Sequence, residues 1–152
     1  MNTVISRMTR TGGVRQAGFN LIELMIVLMI VGVLMAFAYP SFMQSVRNGK
    51  RTDAHTAMTR ATSNLERFFS TNGTYTTDAT LLGFTIDGGA AVSEQGFYAI
   101  TVAAGPTGIG SSYVITATAR DGTSQVKDTG CTTMTVSSLG VRTPDPVDSK
   151  CW

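Results

Sequence analysis

The run from Phe19 to Val46 constrains this chain more than any other feature. Between these residues Glu23 is the only charged side chain, and from Leu24 to Val46 there is none. About 20 apolar residues in a helix suffice to cross ~30 Å of hydrocarbon, so the segment reads as a membrane span. Arg7, Arg10 and Arg15 precede it, while Arg47, Lys50 and Arg51 follow it. These flanks alone do not orient the span. Orientation comes from the two cysteines, Cys131 and Cys151, which favour an oxidising compartment for the C-terminal side. The expected topology is therefore N-terminus in the cytoplasm and body outside.

Composition narrows the function classes. The chain has 152 residues, enough for one ordinary domain beyond the span. Only 14% of residues are charged, against ~25% in an average soluble protein. Disorder, which needs high charge and low apolarity, is excluded. Residues 1–18 hold three bases and no acid; the other 134 hold nine bases and ten acids. A basic leader thus precedes a nearly neutral body. The net charge of +2 gives no support to nucleic acid as a partner.

Glu23 has two physical readings. A carboxylate inside a span costs up to ~2.5–3.5 kcal/mol, which marks it as functional by default. Alternatively, five residues into the segment, it snorkels to the headgroups. On physics alone the two stand level. A removable secretory signal cut near Ala36-Phe37-Ala38-Tyr39 leaves Glu23 unexplained.

Gly18-Phe19-Asn20-Leu21-Ile22-Glu23-Leu24 resembles the type IV prepilin signature. That signature is a Gly, an aromatic or apolar residue, and a Glu four places later, heading a long apolar helix. Asn20 departs from the usual Thr. The resemblance implies that residues 1–18 are a leader removed by a prepilin peptidase between Gly18 and Phe19. The new Phe19 amine is then methylated, and 19–46 remains as the span and filament core. Glu23 would pair with the Phe19 amine of a neighbouring subunit, and its place in the first helical turn suits an anion. Gly32 and Pro40 match the positions that, in pilins, bound the stretch losing helicity in the fibre. Implied partners are other pilin subunits, the peptidase, an inner-membrane assembly platform and the lipid bilayer before assembly. The implied location is the inner membrane, then the surface pilus.

Residues 47–152 read as the globular head. Ala54, Ala57, Met58, Ala61, Leu65, Phe68 and Phe69 form one face of a 3.6-residue period. A helix from Phe19 to about Thr71 would be ~80 Å long, with Asn48-Gly49 a weak point and Asn72-Gly73 its stop. Residues 73–96 read as loop. Strands are expected at Phe97–Ala103, Tyr113–Ala119 and Cys131–Val136. The fold class is α+β: one long helix against an antiparallel sheet of three or four strands. Cys131 and Cys151 can clamp the unperiodic tail, as pilins commonly do. Further segments, among them Leu65-Glu66-Arg67-Phe68-Phe69 and Asn72-Gly73-Thr74-Tyr75-Thr76, resemble minor pilins of the PilE type.

No catalytic or cofactor motif is expected. His55 stands alone, Asp145 with Asp148 is too little for calcium, and the Asn72-Gly73-Thr74 sequon is attributed to chance. The leading function is a structural pilus subunit. The alternatives are a pseudopilin of a type II secretion system, or an adhesive or DNA-binding head using Arg120, Lys127, Arg142 and Lys150. Asp121, Asp128, Asp145 and Asp148 are expected to cancel that field.

Overall fold

The computed structural model describes residues 18–145 and 150–152. The leader arginines, Pro146 and Asp148 lie outside the described residues. The chain divides into two compact units, one ending at Tyr39 and the other spanning Pro40–Trp152.

Helix α1 runs Leu21–Asn72 without interruption, through Gly32, Pro40 and Gly49. The Asn48-Gly49 pair does not break it. Gly73 ends it in the left-handed region (φ +70°), its amide bonded to the Phe69 carbonyl, as the Asn-Gly pair implied. In the first unit every described residue is exposed. No part of the most apolar 18-residue window is buried.

In the second unit Ala54, Ala57, Met58, Ala61 and Leu65 of α1 are buried. They pack in one core with Tyr98, Ile100, Tyr113, Ile115, Ala117 and Met134 of the sheet. Alanines at 54, 57 and 61 let the strands approach the helix closely. Leu65 continues the buried stripe, while Phe68 and Phe69 are half-buried and Phe69 stacks on Tyr75.

The sheet has six strands in sequence order, all neighbours antiparallel. They are β1 Thr85–Asp87, β2 Ala90–Val92, β3 Tyr98–Ala104, β4 Tyr113–Ala119, β5 Thr133–Ser137 and β6 Arg142–Thr143. The expectation of three or four strands is therefore low. Strands β1 and β2 form a hairpin about Gly88-Gly89 inside the segment read as loop, and β6 lies in the tail. Strands β3 and β4 bury the alternate residues expected of them. Their connection needs Gly105, where an added Cβ would stand 2.5 Å from Ser112 Oγ.

Two substitutions test this packing. Leu65→Ala opens a cavity and is expected to cost ~2–5 kcal/mol. Ala61→Leu overfills the helix–sheet contact and is expected to cost ~1–3 kcal/mol. Denaturant midpoints of the detergent-solubilised chain, read by tyrosine circular dichroism, check both.

Candidate functional site

Gly18, Phe19 and Asn20 precede α1. The Asn20 carbonyl accepts from the Glu23 and Leu24 amides at 3.0 and 3.2 Å. That bond pair starts the helix and puts Glu23 in its first turn. The side chain is exposed in the single chain. Added Cβ atoms at Gly18 and Gly32 meet nothing within 4 Å. Nothing in the chain's own packing requires glycine at either position.

In the second unit the densest polar site lies where α1, the 3-10 turn η1 (Ser124–Lys127) and the C-terminal residues meet. Arg51 and Asp128 are both buried there. Arg51 Nε and Nη2 donate to the two Asp128 carboxylate oxygens, each at 2.7 Å. Arg51 Nη1 donates to the Lys150 carbonyl. Gln44 donates to Asp128 at 3.3 Å. Buried Gln125 donates to the Tyr98 hydroxyl (2.8 Å) and the Arg47 carbonyl (3.2 Å). A forked guanidinium–carboxylate pair needs such support to offset desolvation.

The pair governs its own titration. Burial alone would push the Asp128 carboxyl up, but the Arg51 hydrogen bonds and charge outweigh it, so Asp128 titrates below its usual value. The hydrogen bond to Asp128 likewise raises Arg51.

A second buried acid, Asp53, fastens the β2–β3 loop to the helix. It accepts from the Ser93 hydroxyl (2.5 Å) and from the Gln95 and Phe97 amides (3.0 and 3.3 Å). Sequence reasoning missed Arg51, Asp53, Gln125 and Asp128; a signal existed for the first two. Arg51 extends the buried 54–58–61–65 face backwards by three residues, and Asp53 lies four before Ala57.

Cys131 and Cys151 form a disulfide with Cα atoms 5.5 Å apart. Next to it, His55 Nε2 is 2.8 Å from the Cys151 carbonyl, and its ring stacks on Trp152 at 5.0 Å. Arg142 lies over the same indole at 5.1 Å. His55, Arg142 and Trp152 line a groove of about 450 Å³, with Glu66 and Tyr113 also in its wall. Glu66 accepts from the hydroxyls of Tyr113 (3.0 Å) and Tyr75 (3.2 Å). Burial, then that bond, pushes the Tyr113 phenol up to about 12. Among the described residues no cluster of His, Cys, Asp or Glu is arranged to hold a metal.

The four proposed DNA-contacting cations are not equivalent. Arg120 is paired with Asp87, Arg142 is exposed with its guanidinium over Trp152, and Lys127 and Lys150 are exposed. Asp128 does not cancel their field at the surface, because it is buried against Arg51.

The prokaryotic N-terminal methylation motif matches residues 14–39. A family model described as type IV minor pilin ComP, DNA uptake sequence receptor, matches residues 40–135. The chain belongs to this ComP family of type IV minor pilins. It is also 36% identical over 91 residues to the type IV major pilin protein PilA of Myxococcus xanthus (strain DK1622). That alignment covers 60% of this chain and 40% of the relative. The resemblance to type IV pilins read from the Gly18–Leu24 signature is thus sustained on both halves of the chain. The ComP match takes in Arg51, Asp53, Gln125, Asp128 and Cys131, and stops short of Cys151 and Trp152.

The lowered Asp128 titration predicts a pH dependence. Asp128 binds its proton less readily folded than unfolded. Its stabilisation is complete above the unfolded pKa of ~3.9 and is lost as pH falls through the lower folded value. Asp128→Asn is expected to reduce stability at neutral pH and to flatten the acid limb. Denaturation midpoints measured from neutral pH down to strong acid check this.

Proposed function

We propose that this chain is a minor subunit of a type IV pilus, made as a membrane-anchored precursor. The observation that carries this is the first unit. From Leu21 it is a continuous helix whose apolar side chains are all exposed, and a methylation motif spans residues 14–39. Such a surface needs lipid or other helices around it. Before assembly the bilayer covers it, with the N-terminus cytoplasmic and the head outside. In the filament, neighbouring subunits take the place of lipid.

Processing follows from the same segment. A prepilin peptidase cuts between Gly18 and Phe19, and Phe19 is N-methylated. Glycine at 18 answers to the enzyme's need for close backbone access, since the chain's own packing makes no such demand. Glu23 then offers its carboxylate to the Phe19 amine of the adjacent subunit. A buried pair of this kind sets register more than it adds affinity. Gly32 and Pro40 mark where α1 loosens on packing into the fibre. The disulfide-closed tail favours a pilus over a type II secretion pseudopilin. The inner-membrane assembly platform and other pilins are the partners.

The family description favours a second role, DNA reception by the head. Asp128 is buried with Arg51 as a neutral pair, so the exposed cations left for such a role are Lys127, Arg142 and Lys150. DNA affinity that falls steeply with salt would support this role; salt-insensitive or absent binding would remove it.

Two measurements test the main reading. The intact mass of membrane-extracted protein is expected to equal residues 19–152 plus one methyl; an N-terminus near Tyr39 would contradict it. Glu23→Gln is expected to be processed and inserted normally but to accumulate in the membrane and be depleted severalfold from sheared pili. Wild-type incorporation would return Glu23 to a snorkelling side chain.

A further inference from the structure

The chain contains three lysines, Lys50, Lys127 and Lys150. All three are tied to the Arg51–Asp128 pair. Lys50 adjoins Arg51 in the chain, Lys127 adjoins Asp128, and the Lys150 carbonyl accepts from Arg51 Nη1. Lys50 Nζ lies 4.2 Å from the centroid of Phe97 and donates to Ser124 at 2.9 Å, which joins α1 to η1. Arg47, whose carbonyl holds Gln125, adds a fourth cation. The acid within the node, Asp128, is buried and engaged by Arg51. Asp121, in the turn before η1, is the exposed acid nearest along that segment. Val126, 41% exposed, stands beside Lys127 as an apolar side chain in this basic setting.

The position of this cluster in the chain identifies what it meets. Arg47 directly follows Val46, the last residue of the uncharged run. Lys50 and Arg51 come about one helical turn later. We propose that Arg47, Lys50, Lys127 and Lys150, with Val126, form a foot by which the head binds the anionic phospholipid headgroups surrounding its own span. This rests on the reading that α1 anchors the chain before assembly. Ammonium groups are attracted to anionic headgroups by charge, and an isolated apolar residue among them suits the interface. The foot seats the head on the bilayer until the subunit is withdrawn, when headgroup contacts are exchanged for neighbouring subunits. The buried Arg51–Asp128 pair supports the foot, because it gathers three distant chain segments and withdraws one carboxylate, Asp128, from beside Lys127.

The test uses the full processed chain in vesicles of phosphatidylcholine alone and of phosphatidylcholine with phosphatidylglycerol. Amine acetylation is read lysine by lysine by peptide mass spectrometry. Lys127 and Lys150 are expected to react severalfold more slowly in the anionic vesicles, and the difference is expected to vanish at high salt. Lys127→Glu is expected to remove much of the protection at Lys150. Flotation of the same vesicles reports anchoring separately. Failure to float overturns the anchoring reading and the foot with it. Flotation with equal acetylation in both vesicle types overturns the foot alone. Protection by added duplex DNA, with none from phosphatidylglycerol, would assign these lysines to nucleic acid and also overturn it.

Discussion

The seating of η1 and the C-terminal residues on the head depends on one buried ion pair. Arg51 comes from α1, Asp128 from the end of η1, and the carbonyl they share space with belongs to Lys150 near the C-terminus. These segments lie 77 and 99 residues apart from Arg51 in the chain. η1 buries only Gln125, and among the described tail residues only Cys151 is buried, with Trp152 packed against the core. Polar contacts therefore do what side-chain burial does elsewhere. A buried pair adds little net stability compared with a well-packed apolar replacement, but losing one partner strands a charge and costs ~3–5 kcal/mol. The pair is thus a device for placing segments, and the disulfide at Cys131–Cys151 closes the same region covalently.

Helix α1 carries two chemistries in sequence. Up to Tyr39 its surface is apolar and exposed all round, a pattern that water does not tolerate and that lipid or neighbouring helices do. Beyond that its apolar residues narrow to a stripe of alanines and larger side chains facing the sheet. Between the two stands a short polar stretch in which Gln44, Arg47, Lys50, Arg51 and Asp53 each serve the head. The change from one chemistry to the other takes place within a few turns of uninterrupted helix.

Much of this was legible in the sequence. The 54–65 face, the alternation of Tyr98, Ile100 and Val102, and that of Tyr113, Ile115 and Ala117, are long enough for periodicity to speak. Strands β1, β2 and β6 have three residues or fewer, too short for any period, and their pairing comes from the neighbouring strand instead. The Gly88-Gly89 hairpin reads equally well as loop. The node was hidden for another reason. Charged residues are ordinarily solvated, so Asp128 beside Lys127 read as surface neutralisation. Its burial depends on Arg51, 77 residues away, and no local pattern conveys that. At the N-terminus the situation is reversed: the Gly18–Glu23 signature is plain in the sequence, while in the single chain Phe19 and the Glu23 side chain stand exposed.

Native-state hydrogen exchange on the full processed chain, comparing wild type with Asp128→Asn, tests the role of the ion pair most directly. If the pair places η1 and the tail, amides from Gln125 to Cys131 and at Cys151 and Trp152 will lose protection together, while those of β3 and β4 keep theirs. Unchanged protection at η1 and the tail, or an equal loss through β3 and β4, would contradict the account.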